Sequence, residues 1–349
     1  MLEMESAAGQ SLLGVLKRTL PAHAAEHELS AFGGTVRIKS VAGPNQRSCV
    51  TTCSLHLNEL SPQSPGFLTC FEESGKRIAW GKSNSESQTA AATRAWLQGA
   101  APEALYGDFD FIDREKRRLA RIQEEALRAV PSLAAGTNPQ LKEFREWSAL
   151  WFRRDARAVM VDGTSLNAFF SWDQTNLFHW PVHDAPTLAV LVLKWVCENR
   201  APSAMRADFP WLSIGRLADF YERGNPVEGD FLESWDEVEC WLTKTELVFP
   251  QHDAALRLLK ALRKASYDCR LRAGIDHGPG LLLSRSRRSG LSPRMPYVRF
   301  SFGGQPGLMD MSTNLEGVEE RRGVPISLSR ELAAAVERLS EFPVTESVS

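Results

Sequence analysis

Polar and apolar residues alternate in the first strongly patterned segment of the chain, Thr35–Ser40. Val36 and Ile38 point to one side of an extended backbone, and Arg37 and Lys39 point to the other. A period of two predicts a β strand with one buried face. Similar patterns predict further strands at 49–57, 67–71 and 77–80.

Turn and capping residues place the other elements of this first module. The polar segment 72–76 separates two of the strands and predicts a hairpin turn. A helical stretch is expected over 11–29, before the strands. After them, the polar run 83–85 is typical of a helix cap, and the helix that it begins is expected to end at Gln98.

The middle of the chain repeats this order of elements. Asn138 followed by Pro139 is typical of a helix start. The residues after it carry a stripe at helical spacing, made of Leu141, Phe144, Ser148, Trp151 and Phe152. Strands are predicted next at 158–161, 166–172 and 177–180. Asp184 is then expected to cap another helix.

One phrase of nine residues occurs twice in the chain. APEALYGDF begins at Ala101 and APSAMRADF begins at Ala201, with five positions identical. At this offset of 100, three more pairs coincide: Trp80 with Trp180, Ile78 with Phe178, and Arg94 with Lys194. Together with the shared order of elements, this predicts an internal duplication. The phrase would form a short helix that Phe109 and Phe209 hold against each sheet.

The last hundred residues show the same order of elements without a shared phrase. Helices are predicted at 253–265 and 328–339, and strands at 269–275, 280–285, 297–302 and 308–311. Connecting helices are predicted at 113–130, 214–223 and 234–242. The expected fold class is therefore α+β, with repeated antiparallel β-meander modules of helix, three or four strands and helix. We assign three domains, 1–132, 133–249 and 250–349, with the second a tryptophan-rich duplicate of the first.

Composition narrows the environment in which the protein works. The chain has 349 residues, of which 43% are hydrophobic and 24% charged, and its net charge is −2. These values favour a soluble protein with no general attraction to nucleic acid or to an anionic membrane. No apolar run is long enough to span a bilayer, and the first residues lack a signal-peptide pattern.

The six cysteines are scattered, and only Cys49 and Cys53 lie close together. Both fall on one face of a predicted strand, and no second pair completes a zinc site. We interpret them as small buried hydrophobes. A reducing, cytoplasmic compartment is expected, with no metal and no cofactor.

The first module resembles the double-stranded-RNA-binding domain in its order of helix, three strands and helix. The segment 87–97 is similar to that domain's second helix. The resemblance implies a lysine cluster at the start of this helix, because such domains bind RNA mainly through its phosphates and 2′-OH groups. Residues 83–87 are Ser-Asn-Ser-Glu-Ser, so nucleic acid is not the expected partner.

Charged residues concentrate in two segments of opposite sign. The acidic segment, 228–239, has no basic residue, and the range 260–299 is rich in lysine and arginine. A tryptophan inside the acidic segment suggests an interface anchor. We predict a partner-binding surface composed of Trp235, Asp236, Glu237, Glu239, Arg285, Arg287 and Arg288. In the alternative, which the small net charge favours, the two segments pair with each other. In a further alternative, the basic 285–299 region binds nucleic acid.

Two groups of histidine and aspartate offer a catalytic alternative. His179 and His183 have the His-x-x-x-His spacing of a zinc site, but Pro181 between them argues against the required helix. Asp276 and His277 fall in a glycine-rich loop that a tight turn already explains. An enzyme of unfamiliar type would use these residues and Asp184 at a cleft between modules. The chain lacks the familiar phosphate-loop, dinucleotide, nucleophile-elbow and zinc-protease motifs.

The segment 205–213, MRADFPWLS, follows a hairpin and a tryptophan-bearing helix. In this it resembles an uncharacterised bacterial family of unknown function over the first two modules. The resemblance implies a bacterial accessory protein and assigns no catalytic residue. We therefore expect a non-catalytic bacterial protein that binds another protein, such as a toxin-neutralising immunity protein or an accessory scaffold.

Overall fold

The structure is a computed structural model. It describes residues 2–19, 27–32, 34–40, 46–54, 66–144, 147–244, 251–275, 280–288, 295–303 and 305–346. In this part of the chain the strands form three sheets of five strands each, and consecutive strands are neighbours in every sheet. Helices precede and follow each meander. The α+β fold of repeated antiparallel meanders is thus confirmed, with five strands in each module instead of three or four.

The first sheet carries one strand more at its start than the sequence predicts. Its elements are α1 (Leu2–Thr19), β1 (His27–Phe32), β2 (Thr35–Ser40), β3 (Arg47–Ser54), β4 (Gly66–Glu73), β5 (Lys76–Ser83) and α2 (Glu86–Leu97). The predicted helical stretch 11–29 was wrong at its end, where β1 begins and pairs with β2. Three helices follow: α3 (Pro102–Asp108), α4 (Arg114–Ala129) and α5 (Leu133–Thr137).

The second sheet begins where a helix was predicted. Its strands are β6 (Gln140–Glu143), β7 (Ser148–Arg154), β8 (Arg157–Asp162), β9 (Asn167–Trp172) and β10 (Thr175–Pro181). The helix from Asn138 was wrong, because Asn138 ends α5 in the left-handed conformation and Leu141 pairs with Leu150 across two strands. In β7, the buried Leu150 and Phe152 show the period of a strand.

Four helices and a π-helical turn follow the second sheet. They are α6 (Ala185–Val192), the π-helical turn Leu193–Cys197, α7 (Pro202–Asp208), α8 (Arg216–Glu222) and α9 (Pro226–Lys244). The connecting helices predicted at 113–130 and 214–223 are confirmed as α4 and α8. The acidic segment falls within α9, which begins earlier than the predicted 234–242.

Along the chain, the third sheet is preceded and followed by an amphipathic helix, and both helices contribute to the same core. Its elements are α10 (His252–Lys264), β11 (Arg272–Ile275), β12 (Gly280–Ser284), β13 (Tyr297–Ser301), β14 (Leu308–Thr313), β15 (Arg321–Pro325) and α11 (Arg330–Ser340). The sequence missed β15, whose residues are mostly exposed and carry no apolar alternation. The core between sheet and helices includes Leu259, Phe300 and Leu339.

Contacts between Cα atoms divide the chain into two compact units. One comprises 1–169 with 181–198, and the other comprises 170–180 with 199–349. The second unit holds the core of the third sheet, to which α9 contributes Trp235 and Val238. The three-domain division at 132 and 249 stays a prediction.

The hairpin turns and helix starts of the first two modules match at an offset of 99 residues. The turns 74–75 and 173–174 each place two consecutive residues at positive φ, as a type I′ turn requires. Ser85 and Asp184 then cap the helices by accepting a hydrogen bond from the N–H group three residues on. Three pairs predicted at offset 100 are therefore not structural equivalents: Trp80 with Trp180, Ile78 with Phe178, and Arg94 with Lys194.

The π-helical turn explains why the repeated phrases, which come after it, are 100 residues apart instead of 99. The N–H of Glu198 donates to the carbonyl of Leu193, five residues back, at 3.0 Å, whereas the N–H of Gln98 donates to Arg94, four residues back, at 2.9 Å. A π turn accommodates one inserted residue in a helix. Beyond it, α3 and α7 begin at Pro102 and Pro202. The repeated phrase thus forms a short helix in both copies, as predicted.

Helix α2 and the π-helical turn after α6 each bury a tryptophan beneath an arginine from the third strand of the sheet. Trp96 and Trp195, which are 99 residues apart, are both 0% exposed. The guanidinium carbon of Arg47 in β3 lies 4.0 Å from the centre of the Trp96 ring, and that of Arg157 in β8 lies 3.7 Å from the Trp195 ring. Cation–π contacts at such distances are favourable. This shared arrangement supports duplication of one module.

Candidate functional site

Trp235, the predicted interface anchor, is part of the core. Its exposed fraction is 0%, and its indole N–H donates to the carbonyl of Leu271 at 2.7 Å. Phe231, Val238 and Leu242 are buried on the same side of α9. The prediction of a surface tryptophan was therefore wrong, because the apolar stripe of this helix outweighs the acidic neighbours along the chain.

The acidic residues beside Trp235 pair mostly with arginines of the same unit. Asp236 contacts Arg216, and it also forms an ion pair of 2.9 Å with Arg263. Glu239 lies 2.8 Å from another nitrogen of Arg263. These contacts favour the alternative in which the acidic and basic segments pair with each other. Glu237, by contrast, forms no ion pair with any residue that the structure describes.

Arg287 was predicted on an exposed surface, but it is only 6% exposed. Its Nε atom donates to Asp230 Oδ2 at 2.8 Å, and its Nη2 atom donates to the hydroxyl of Tyr221 at 3.1 Å. Its Nη1 atom lies 2.8 Å from Asp173 and 3.0 Å from Glu346. A buried guanidinium with several acceptors is a structural centre, so Arg287 is not a free partner-binding group.

Arg285 and Arg288 are also engaged within the unit. Arg285 donates to the carbonyl of Phe342 at 2.8 Å. Arg288 lies 3.2 Å from Asp173 and 3.5 Å from Glu346. The arginines of the predicted basic surface therefore mostly form hydrogen bonds and ion pairs within the unit. This also removes the support for a nucleic-acid site at these three arginines. The prediction for residues 289–294 lies outside the described residues.

Burial shifts the ionisation of the groups around Arg287. Desolvation raises the pKa of Asp230, and hydrogen bonds from Arg287 and Tyr221 oppose that shift. Burial, together with the charge of Asp230, raises the pKa of Tyr221 to about 12. Burial also raises the pKa of Glu233, and the neighbouring Asp236 and Glu237 add to it. The Tyr221 hydroxyl therefore stays protonated at neutral pH and donates to Asp230 at 2.8 Å.

A cavity of about 340 Å³ lies beside this cluster in the second unit. Its lining is polar, with only one aliphatic side chain, Leu217. The lining residues are Gln174, Thr175, Asn176, Leu217, Asp230, Glu233, Ser234, Glu237, Arg272, Arg287 and Arg288. Pockets for apolar ligands are lined mainly by hydrophobic and aromatic side chains. This cavity suits a small, charged ligand instead. The charges of 228–239 are visible in the sequence, but which of them share a cavity depends on the fold.

The histidine pair does not form the centre that its spacing suggests. His179 lies in β10, His183 follows that strand, and Asp184 caps α6 by accepting from the N–H of Thr187 at 2.7 Å. Among the described residues, no group of three or more His, Cys, Asp or Glu side chains could hold a metal ion. Asp276 and His277 lie outside the described residues. Asp184 was correctly predicted as a helix cap.

Trp211, which was not singled out from the sequence, is the most exposed large hydrophobic residue that the structure describes. Its exposed fraction is 53%, compared with 37% for Phe144 and 38% for Val190. Its ring centre lies 5.8 Å from that of Phe209 and 5.8 Å from that of Trp180. The surface around Trp211, which packs against the half-buried Phe209 and the buried Trp180 of the same unit, is a second candidate site. The alternation of the strand that holds Trp180 and the position of Trp211 just after the repeated phrase are visible in the sequence. The exposure of Trp211, however, depends on the fold.

The chain matches no protein-family model, no curated protein and no solved structure in the comparisons. Within the described ranges, every helix is too short or too polar to cross a bilayer.

The interpretation of Cys49 and Cys53 as small buried hydrophobes is confirmed, because both are buried in β3, at 1% and 2% exposure. All six cysteines are free thiols.

Proposed function

We propose that the chain is a protein-interaction protein that binds another protein through the aromatic surface around Trp211. The observation that carries the proposal is the 53% exposure of Trp211. Exposed tryptophan is costly in water, and tryptophan dominates the binding energy of many protein interfaces.

The surroundings of Trp211 fit the anatomy of an interface. Phe209 packs against the Trp211 ring edge to face, at 68°, and Trp180 packs against it at a tilt of 50°. These contacts limit the rotamer freedom of Trp211 that binding would remove. Asp208 and Ser213, its polar neighbours along the chain, are exposed. An aromatic centre with a polar rim is typical of a protein-binding patch.

The finer assignment is a toxin-neutralising immunity protein or an accessory scaffold of a bacterial cytoplasm. Six free thiols support a reducing compartment. A neutralising protein needs an aromatic anchor and a complementary surface more than it needs a reactive centre. The surface first predicted, around Trp235 and Arg287, is replaced in this proposal by the surface around Trp211.

Affinity capture from the native cells tests this function. Immobilised wild-type protein, Trp211→Ala and Val190→Ala are compared by quantitative mass spectrometry. We expect Trp211→Ala to lower the amount of one specific protein about tenfold or more. Val190→Ala removes a less exposed apolar side chain of the other unit and should leave that amount unchanged. Equal capture by all three proteins, each with native circular dichroism, would contradict the proposal.

A further inference from the structure

The charged cavity of the second unit contains groups that the internal ion pairs leave unmatched. Asp230 is matched by Arg287 at 2.8 Å, and Arg288 is matched by Asp173 and Glu346. Arg272 forms no ion pair with any described residue, and its Nη1 atom donates only to the carbonyl of Arg287 at 3.2 Å. Glu233 and Glu237 likewise form no ion pair within the described part of the chain.

These unmatched charges come from two elements that pack together. Glu233 and Glu237 are four residues apart on α9, so they lie on the same side of that helix. Arg272 begins β11, the strand that contacts α9. Desolvation raises the pKa of Glu233 and lowers the pKa of Arg272, although the charges of Glu237 and Asp230 partly offset the shift at Arg272. Both groups are thus partly removed from water, and neither forms a direct ion pair with a described residue.

We infer that this cavity binds a small zwitterion, an α-amino acid with a cationic side chain. A carboxylate would accept hydrogen bonds from Arg272, and ammonium groups would pair with Glu233 and Glu237. One unmatched cation and two unmatched anions call for one carboxylate and two ammonium groups, which is the charge pattern of free lysine. Charge-assisted hydrogen bonds of this kind are the stronger ones in proteins. The site is independent of the surface around Trp211.

Titration calorimetry with three probes tests the assignment. L-Lysine carries both kinds of charge, 1,5-diaminopentane carries only ammonium groups, and glutarate carries only carboxylates. We expect L-lysine to bind more tightly than either of the other two, because only L-lysine satisfies Arg272 and the two glutamates together. Absence of L-lysine binding at millimolar concentration would overturn the inference.

Two variants separate the roles of the charges. Arg272→Gln should weaken L-lysine binding about tenfold or more. It should not weaken 1,5-diaminopentane binding, because Arg272 repels ammonium groups, and retained binding of this ligand also shows that the variant is folded. Glu237→Gln should weaken both ligands. Arg322→Gln, an exposed arginine of the same unit, is the matched control and should change neither affinity. If Arg272→Gln and Glu237→Gln both bind L-lysine as the wild type does, or if Arg272→Gln loses both ligands, the assignment is wrong.

Discussion

At the scale of single residues, the pair Asp230 and Arg287 organises the second unit. Both side chains are nearly inaccessible, and Tyr221 hydrogen-bonds to both partners. Such pairs are costly to break, because removal of one partner leaves a buried charge without compensation. The exposed ion pairs elsewhere contribute much less.

Arg287→Met should therefore destabilise the protein strongly. We expect a loss of about 3–5 kcal/mol in the free energy of unfolding, because Asp230 keeps its burial and loses its cation. Arg288→Met is the matched control, since its partners Asp173 and Glu346 are 46% and 59% exposed, and it should cost less than about 1 kcal/mol. Urea denaturation followed by tryptophan fluorescence measures both values. Similar losses in the two variants would show that the burial of Arg287 has no special role.

Glu233→Gln should stabilise the protein in a pH-dependent way. The pKa of Glu233 is raised in the folded state by burial and by Asp236 and Glu237. Ionised Glu233 therefore disfavours folding at neutral pH, and this penalty disappears as the pH falls through its folded and then its unfolded pKa. The variant should melt at a higher temperature than the wild type at pH ~7, with the gain lost near pH ~4.

Calorimetric melting across this pH range measures the effect. Glu320→Gln, at an exposed position outside the cavity, should show no such gain. A gain for Glu233→Gln that stays constant down to the acidic end would contradict the assigned cause. The proposed L-lysine site also requires Glu233→Gln to bind this ligand more weakly, and such an opposition between stability and function is common at binding sites.

At the scale of elements, the sequence predicted those parts in which local pattern and tertiary position agree. The turn 72–76 and the capped helix α2 were found because turn and capping residues act locally. The helix from Asn138 was wrong because β6 and β7 pair through backbone atoms, and their side chains happened to match a helical stripe. Trp235 was misplaced because its burial depends on contacts with β11, far along the chain.

The exit segment of the first module depends on a close backbone contact at Gly81. This residue pairs with Ile112 through an isolated β-bridge, and a Cβ atom at Gly81 would lie 2.6 Å from the carbonyl oxygen of Phe111. Gly81→Ala should destabilise the protein by about 1–3 kcal/mol, because the segment must move away from β5.

Gly107, near the end of α3, provides the contrast. Its added Cβ would meet no atom within 4 Å, and alanine favours a helix over glycine by about 1 kcal/mol. Gly107→Ala should therefore be neutral or slightly stabilising in the same thermal or urea denaturation. Equal destabilisation by both substitutions would show that the loss of backbone freedom, and not the contact with Phe111, causes the effect of Gly81→Ala.

At the scale of the whole molecule, repeated meanders bury their apolar faces and leave Trp211 and the charged cavity accessible, and these are the places that we propose for binding. The repeat could be predicted from one phrase and the order of elements. The proposed binding surfaces could not be predicted, because the exposure of Trp211 and the charges of the cavity that lack an ion pair arise only when distant segments meet. Arg263 and Arg287 of the basic segment pair with Asp236 and Asp230 of the acidic segment. The two oppositely charged segments therefore largely neutralise each other within the protein.

Site-specific photo-crosslinking in the native cells tests whether a partner protein binds at Trp211. A photoreactive phenylalanine analogue replaces Trp211 in one strain and Val190 in another. We expect a discrete protein adduct at position 211 and none at position 190. Absence of any adduct at 211, or the same adducts at both positions, would contradict the claim that this protein binds a partner through the surface around Trp211.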